Sequence, residues 1–459
     1  MIKRLPPVSV AVVAASLLLG GCAPRPRLAI VPNVLSETWS QSPPASDILR
    51  PATIAELLGS PEIAALTERA LAANPNLLAA QARLEQALAG LRIARGAALP
   101  LVSVSSGVSA TRGTNNGAFD FSTSFAAIDA SYSVDLGGGI AAGKRAAAQR
   151  ARAARFDRDQ FALTLATDIA RIFVLRSTLQ ARLALVDRNL AATTKLQRIL
   201  EMRQREGVAT RVDVGLQRIR VSELAAERSR LDEALDQTRT ALALLVGEES
   251  PGFAPESLNL DSFARAVPSV PRPSEIIVFR PDVLAAEARI RAAGGDVSQA
   301  RAAFFPRLDL SLNRSSQTVL SGGPLAGLTL GAGLLFPIFN QGRLKGDLES
   351  AAAVQRESVH NYRQVLLVAL AEVEDALSAA QHAHDRAAIL ADVEREAKLT
   401  ADLARQQYFE GEADLREVLD AQDRLISAQD ARAVSVQEQL EASIALYRST
   451  QIVPRSDRA

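Results

Sequence analysis

The chain has 459 residues, with 52 basic and 51 acidic side chains and a formal net charge of +1. That balance offers no electrostatic footprint for nucleic acid. Hydrophobic residues make up 48% of the chain but aromatics only 4%; alanine and leucine fill the difference, as in long, closely packed helices.

Residues 1–21 read as a secretory signal peptide. Lys3 and Arg4 form a basic start, and the apolar run from Val8 to Leu19 is too short to cross a membrane as a helix. Leu19-Gly20-Gly21-Cys22 fits a bacterial lipobox, which makes Cys22 the expected lipidation site. Cys22 is the sole cysteine, so no intrachain disulfide can form. The plainer reading is a signal peptide that ends beside a free thiol. Ala23, not an aspartate, follows the cysteine, which favours the outer membrane. Beyond the leader no stretch approaches the ~20 apolar residues of a membrane helix, so any membrane crossing must use strands.

Residues 22–73 are expected to hold the lipidated segment and a first helix. The rest of the chain is written twice. Residues 74–100, NPNLLAAQARLEQALAGLRIARGAALP, align without a gap on 280–306, RPDVLAAEARIRAAGGDVSQARAAFFP, at an offset of 206. GVATRVDV, from Gly207, aligns on GEADLREV, from Gly411, at an offset of 204. Self-similarity of this length points to two copies of one unit, 74–250 and 280–450. Proline-rich 251–279 is expected to link them, and 451–459 to form a tail.

Each copy has the same parts in order. A helix starts at Pro75 or Pro281 and ends by Pro100 or Pro306. Two strands follow. In the first copy, 101–105 opens one and 128–134 closes the other. In the second, Leu308, Leu310 and Leu312 alternate with polar residues, and Leu328, Leu330, Ala332, Leu334 and Phe336 fill every second place. Gly/Ser-rich 112–118 and 321–327 read as loops. Long helices are then expected over 140–206 and 342–410, ~100 Å each at 1.5 Å per residue. In the first, Leu165, Ile172, Leu179, Val186, Thr193 and Leu200 keep one seven-residue register, with Ile169, Leu183 and Leu190 on the companion register, a coiled-coil seam. Shorter helices return over 211–247 and 414–449, ~55 Å each. A long helix therefore matches two short ones laid end to end, and Gly207 and Gly411 become the tips of hairpins.

The tips carry acids. Asp414-x-x-Glu417 is spaced as a capping box and Thr210-x-x-Asp213 nearly so. Asp420 lies beyond the first turn, where capping no longer accounts for it, and shares a face with Glu417. Arg416 and Arg424 are the nearest cations that could restrain these acids. His360, His382 and His384 form no set with metal-ligand spacing, and no glycine-rich phosphate loop opens a helix. No enzyme activity, cofactor or metal is expected. Four strands per chain cannot close a membrane barrel, whose smallest examples have about eight. Two chains would give eight strands around a filled interior, and three would give twelve around an open lumen.

SPEIAALTERALAANPNLLAAQARLEQA (60–87), PSEIIVFRPDVLAAEARI (273–290), FPIFNQGRLKGDLESA (336–351) and EGEADLREVLDAQDRLISAQ (410–429) resemble the TolC/OprM-type outer-membrane factors in their lipoprotein branch. The resemblance implies a mainly α protein with a membrane β-barrel: a homotrimer whose twelve-stranded barrel continues into a periplasmic α-helical tunnel. It implies a Gram-negative outer membrane, and work with a periplasmic membrane-fusion adaptor and an inner-membrane transporter, RND type first, to export drugs or other small molecules. It places Glu417 and Asp420 at the periplasmic aperture, and it links Asp213 and Tyr408 between neighbouring hairpins in the closed state. The tips themselves, Gly207, Val208, Ala209, Thr210, Gly411, Glu412, Ala413 and Asp414, become the adaptor contact. Gly215 departs from the family, which more often has an aliphatic residue there. Two other readings stand beside this one: a protein-secretion duct of the same fold, and a lipid-anchored coiled-coil spacer without a pore. A spacer has no use for matched pairs of alternating strands.

Overall fold

The structure, a computed structural model, describes residues 38–40, 48–49, 52–111, 121–256, 259–273, 279–319 and 323–450. The leader, Cys22 and the tail 451–459 lie outside these residues. Strand β1 (Ile48–Leu49) is followed by helices α1 (Ile54–Leu58), α2 (Pro61–Ala73) and α3 (Pro75–Gly96). Ser60 and Asn74 cap α2 and α3, each directly before a proline at the first helical position. Strands β2 (Leu101–Thr111) and β3 (Phe121–Val134) lead to α4 (Gly139–Arg205) and α5 (Arg211–Val246). After β4 (Val267–Pro268) the order repeats: α6 (Pro281–Ala302), β5 (Arg307–Val319), β6 (Gly323–Leu335), α7 (Arg343–Glu410) and α8 (Leu415–Thr450). No helix among the described residues is long and apolar enough to cross a membrane.

One strand of the second copy outruns its expected bound. The expected loop at 321–327 is strand from Gly323 onward, because ladder hydrogen bonds come from the backbone and do not need the missing side chains. The expected loop 112–118 lies outside the described residues.

In each copy the long helix carries two shorter ones: α3 and α5 pack on α4, α6 and α8 on α7. The heptad residues Leu165, Ile169, Leu179, Val186, Thr193 and Leu200 are buried in this packing, with Ile172 and Leu183 partly covered. The joints between short helices fall at matching places. In the first, the Asn74 side-chain amide donates to the carbonyl of Leu245, 2.8 Å away. There Gly247, with φ of +83°, also passes so close that an added Cβ would lie 2.6 Å from the oxygen of Ala73. In the second, Arg280 stands at the place of Asn74 and donates to the carbonyl of Ser449, the equivalent of Leu245.

Arg280 is buried, and its guanidinium also meets Asp282 and Glu372 and the carbonyl of Ala369. Burial opposes its charge, but the two carboxylates outweigh it and hold its pKa above the ordinary value. One side chain thus ties the start of α6 to the middle of α7 and the end of α8.

The short helix α6 lies between α4 and α7 and packs on both. Small residues make this possible: a Cβ on Gly295 would come within 2.8 Å of the Ala146 Cβ. Its repeat mate α3 packs on α4 alone among the long helices. Around the middle of the helices, the stretch expected to be a plain linker is packed. β4 pairs in parallel with β1, and Phe253, Leu260 and Phe263 join the core with α1, α2 and α4. Trp39 donates from Nε1 to the carbonyl of Pro271 at 2.8 Å.

Truncating Arg280 leaves Asp282 and Glu372 without their shared cation, and removes a donor from the carbonyls of Ala369 and Ser449. Arg280→Ala should therefore cost ~2–3 kcal/mol, while Arg280→Lys should recover part of the loss. Urea unfolding followed by circular dichroism measures both, and equal midpoints for wild type and Arg280→Ala would refute the joint's role.

Candidate functional site: sheet faces and hairpin tips

The four long strands form one antiparallel sheet in the order β2-β3-β5-β6. Its register puts Val104, Ile128, Arg314 and Leu328 on one rung, and Val102, Ala130, Leu312 and Leu330 on the next. Because side chains alternate, one face collects Val102, Val104, Val108, Ile128, Tyr132, Leu308, Leu310, Leu312, Leu328, Leu330 and Leu334. The other face carries Ser103, Ser105, Asp129, Ser131, Ser133, Asp309, Ser311, Asn313, Ser315 and Gln317. On the polar face, Asn313 donates to Asp129 at 2.6 Å, and Ser133 and Arg307 donate to Asp309. The apolar face is bare: Val104 is 75% exposed, Val108 81% and Leu330 77%. Its continuous part ends at the rung of Arg314, with Val108 standing beyond it next to Ser124, and at the helix end lie exposed Phe336, Ile338 and Phe339. From Leu308 to Arg314 it spans ~20 Å along the strand, comparable with the ~25 Å apolar band of outer-membrane strands. The outer edges of β2 and β6 pair with no strand among the described residues.

At the far end of the long helices lie the tips. Gly207 and Gly411 both adopt left-handed φ, +78° and +80°. Such values favour glycine and let the chain reverse within a few residues. Val208 N donates back to the carbonyl of Arg203 at 2.9 Å, and Glu412 N to that of Gln407 at 2.9 Å. Thr210 and Asp213 form a full capping box: Asp213 N donates to Thr210 Oγ1 at 3.1 Å, and Thr210 N to Asp213 Oδ2 at 2.8 Å. Asp414 caps α8 by accepting from Glu417 N at 3.0 Å. Leu415 and Leu419 of α8 pack on Leu196, Leu200 and Val214 of the first hairpin, so the two tips form one packed end. Gly215 lies within α5 with open space around it.

With Val418 and Ala421 buried, Glu417 and Asp420 stay on the exposed face of α8. Arg416 and Arg424 make no ion pair among the described residues, contrary to the expectation that they restrain these acids. The cation that meets this acidic face comes from α5: Arg220 pairs with Asp423, one step further along, at 2.6 Å. Tyr408 accepts a hydrogen bond from Arg203 Nη1 at 2.7 Å, and that guanidinium lies 5.0 Å from the ring centre. Arg203 and Asp423 were missed in the sequence. Asp423 was findable, since 417, 420 and 423 continue one spacing; Arg203 was not, because its partner is 205 residues away.

A mainly helical chain with a four-stranded sheet, lipid-compatible on one face and water-compatible on the other, fits the class of outer-membrane channels. The comparisons agree. The pattern of the family described as "Outer membrane efflux protein" matches residues 66–248 and 273–450, the two repeats. Pyoverdine export outer membrane protein OpmQ of Pseudomonas aeruginosa is 31% identical over 468 residues, 98% of both chains. The protein of the same name from Pseudomonas putida is 34% identical over 410 residues, 85% of this chain and 86% of the relative. The outer-membrane channel OprN shares the fold, with a TM-score of 0.81 at 24% identity, covering 90% of this chain and 94% of that one. The chain belongs to the outer membrane efflux protein family, of the TolC/OprM type. It is an outer-membrane efflux channel of a Gram-negative bacterium; its family consists of channels, not enzymes.

Partial burial raises the pKa of Asp423, Arg220 pulls it down, and Glu223 and Asp420 push it up again; the net shift is upward. A carboxyl raised above its unfolded value of about 3.9 contributes stability below that value, and the contribution fades as pH rises through the folded pKa. The tips should therefore loosen as pH rises from about 4 toward neutrality. Hydrogen-exchange protection of residues 207–225 and 411–425, corrected for intrinsic rates, should fall over that range in the wild type and change less in Asp423→Asn. The same pH response in both would show that Asp423 is not the titrating group.

Proposed function

We propose that three copies of the chain close into a single pore, and that the bare sheet face is the observation that carries this reading. An apolar face of this size fits hydrocarbon, and open strand edges are not tolerated there. Pairing β2 of one copy with β6 of the next removes every edge, and three copies give twelve strands around a water-filled lumen. The helices support the same closure. α3 lacks the second long neighbour that α6 has, and α7 of an adjacent copy would supply it through the exposed stripe Gly346, Ser350 and Val354. That stripe stands at the offset of 204 from Ala142, Ala146 and Arg150, along the α4 surface that takes α6. A head-to-tail contact of this kind makes a ring when its rotation closes.

In this reading the barrel crosses the outer membrane and the helices form a periplasmic tunnel narrowed at the tips. Cys22 carries the lipid anchor, and Cys22→Ser should abolish palmitate labelling; normal labelling would remove the anchor. Gly207, Val208, Ala209, Thr210, Gly411, Glu412, Ala413 and Asp414 meet a periplasmic adaptor, which couples the channel to an inner-membrane transporter, RND type first, in a tripartite system. The cargo is a small molecule. Asp213 and Tyr408 join neighbouring hairpins in the closed state, with Arg203 holding the tyrosine ring.

Glu417 and Asp420 line the aperture, six carboxylates in three copies. They attract cations and repel one another in the narrowest part of the path. In planar bilayers the wild type should conduct, prefer cations and be blocked by trivalent cations from the tip side. The Glu417→Gln, Asp420→Asn double variant should lose most of both properties. Equal selectivity and block in the two proteins would take these acids out of the aperture, and a wild type with no conductance would remove the channel itself.

A further inference from the structure

Where strands give way to helices, a cleft of about 890 Å³ lies over the start of α4, with α3 along one side and the end of α6 along the other. Four strand residues reach it, Ser133, Val134, Arg307 and Leu335, and all but Val134 belong to the polar face of the sheet. The cleft therefore opens on the side of that face, which is the lumen if the sheets close as proposed above.

Its chemistry is mixed. Leu136, Ile140, Phe305 and Leu344 give it apolar walls. Five cations line it: Arg83, Lys144, Arg150, Arg307 and Arg343. One carboxylate does, that of Asp135, and both its oxygens are occupied: they accept from the backbone N–H of Ile140 and of Ala141, at 3.0 and 2.8 Å, capping α4. Arg150, Arg307 and Arg343 pair with Asp296, Asp309 and Asp347. Arg83 and Lys144 make no ion pair among the described residues. Both are exposed, Arg83 on α3 and Lys144 on α4.

The repeat explains why Arg83 stays unpaired. Its mate Arg289, at the offset of 206, pairs with Asp157 of α4, the long helix of the other copy. The residue that answers to Asp157, at the offset of 204, is Asn361 of α7, which has no charge. Ring closure would therefore bring Arg83 no carboxylate from that position.

We infer that this cleft is a resting site for an anionic amphiphile on its way out: a small molecule with an aromatic or alkyl body and a carboxylate or sulfonate head. The body lies on the apolar wall, and the head meets Lys144 and Arg83, which have no internal anion to displace. Arg is suited to a two-pronged contact with such a head, and Lys to a point contact. The inference rests on the channel reading for the side of the sheet that faces the lumen. It assigns the path a preference at the throat opposite in sign to that of the acids at the tips; the two lie the length of α4 apart, so each acts only on cargo that has reached it.

Equilibrium dialysis with the purified full-length protein in lipid nanodiscs tests it. The probes are 2-naphthalenesulfonate and its uncharged counterpart 2-naphthalenemethanol, at low salt. The sulfonate should bind saturably, about tenfold more tightly than the alcohol, and added salt should weaken it. The Arg83→Gln, Lys144→Gln double variant should lose about that tenfold for the sulfonate and leave the alcohol unchanged, while Arg83→Lys, Lys144→Arg keeps the preference. Equal binding of the two probes, or a double variant that binds the sulfonate as the wild type does, overturns the site. A protein that conducts in bilayers but shows no sulfonate preference sinks this inference alone; one that shows the preference without conducting sinks the channel reading.

Discussion

The two unpaired edges of the four-stranded sheet set the terms for everything else in the chain. A backbone N–H or C=O facing hydrocarbon without a partner costs several kcal/mol, and each edge presents a row of them. The face between those edges is built from valine, leucine and isoleucine, so it has no stable place in water either. In the proposed reading, further copies of the same edge chemistry meet these edges, and the helices below then have to meet at the same angle as the strands above. The short helices α3 and α5 both pack on α4, and α6 and α8 both on α7, so each long helix carries two partners in sequence along its length.

The repeat made most of this legible. Period-two alternation separated the two sheet faces, and the paired glycines located both reversals, because a left-handed residue leaves a visible mark in an otherwise unbroken helical stretch. What stayed hidden was what the two copies do differently. Asn74 and Arg280 occupy one place in the unit, yet the first uses a neutral amide and the second a buried guanidinium whose carboxylate Glu372 is 92 residues away. Nothing local announces such a pair. The same holds for β1 and β4, two-residue strands too short to carry a periodic pattern, which turn a supposed linker into part of the core.

At the tips the sequence showed acids but not their restraint. Local spacing pointed to Arg416 and Arg424; the fold uses Arg220 from the other hairpin, and Arg203 against Tyr408. Both contacts cross between the two repeats. The tips are thus held by surface ion pairs, a cation–ring contact and a small apolar cluster of Leu196, Leu200 and Val214, not by a deep core. Exposed pairs of this kind are individually weak and sensitive to salt.

Closure into a ring of three is the claim on which the rest depends, and the repeat supplies a direct measurement of it. Inside one chain Gly295 of α6 lies against Ala146 of α4. The matching residues are Ala89 of α3 and Ser350 of α7, at offsets of 206 and 204, and they belong to surfaces that α3 and α7 of a single chain do not bring together. Ala89→Cys with Ser350→Cys should, on mild oxidation of the native protein, give denatured gel bands up to three chains and no further, while each single variant, which keeps Cys22 as well, stays at one. A double variant that remains a single chain, or a ladder running beyond three, would contradict the closed ring.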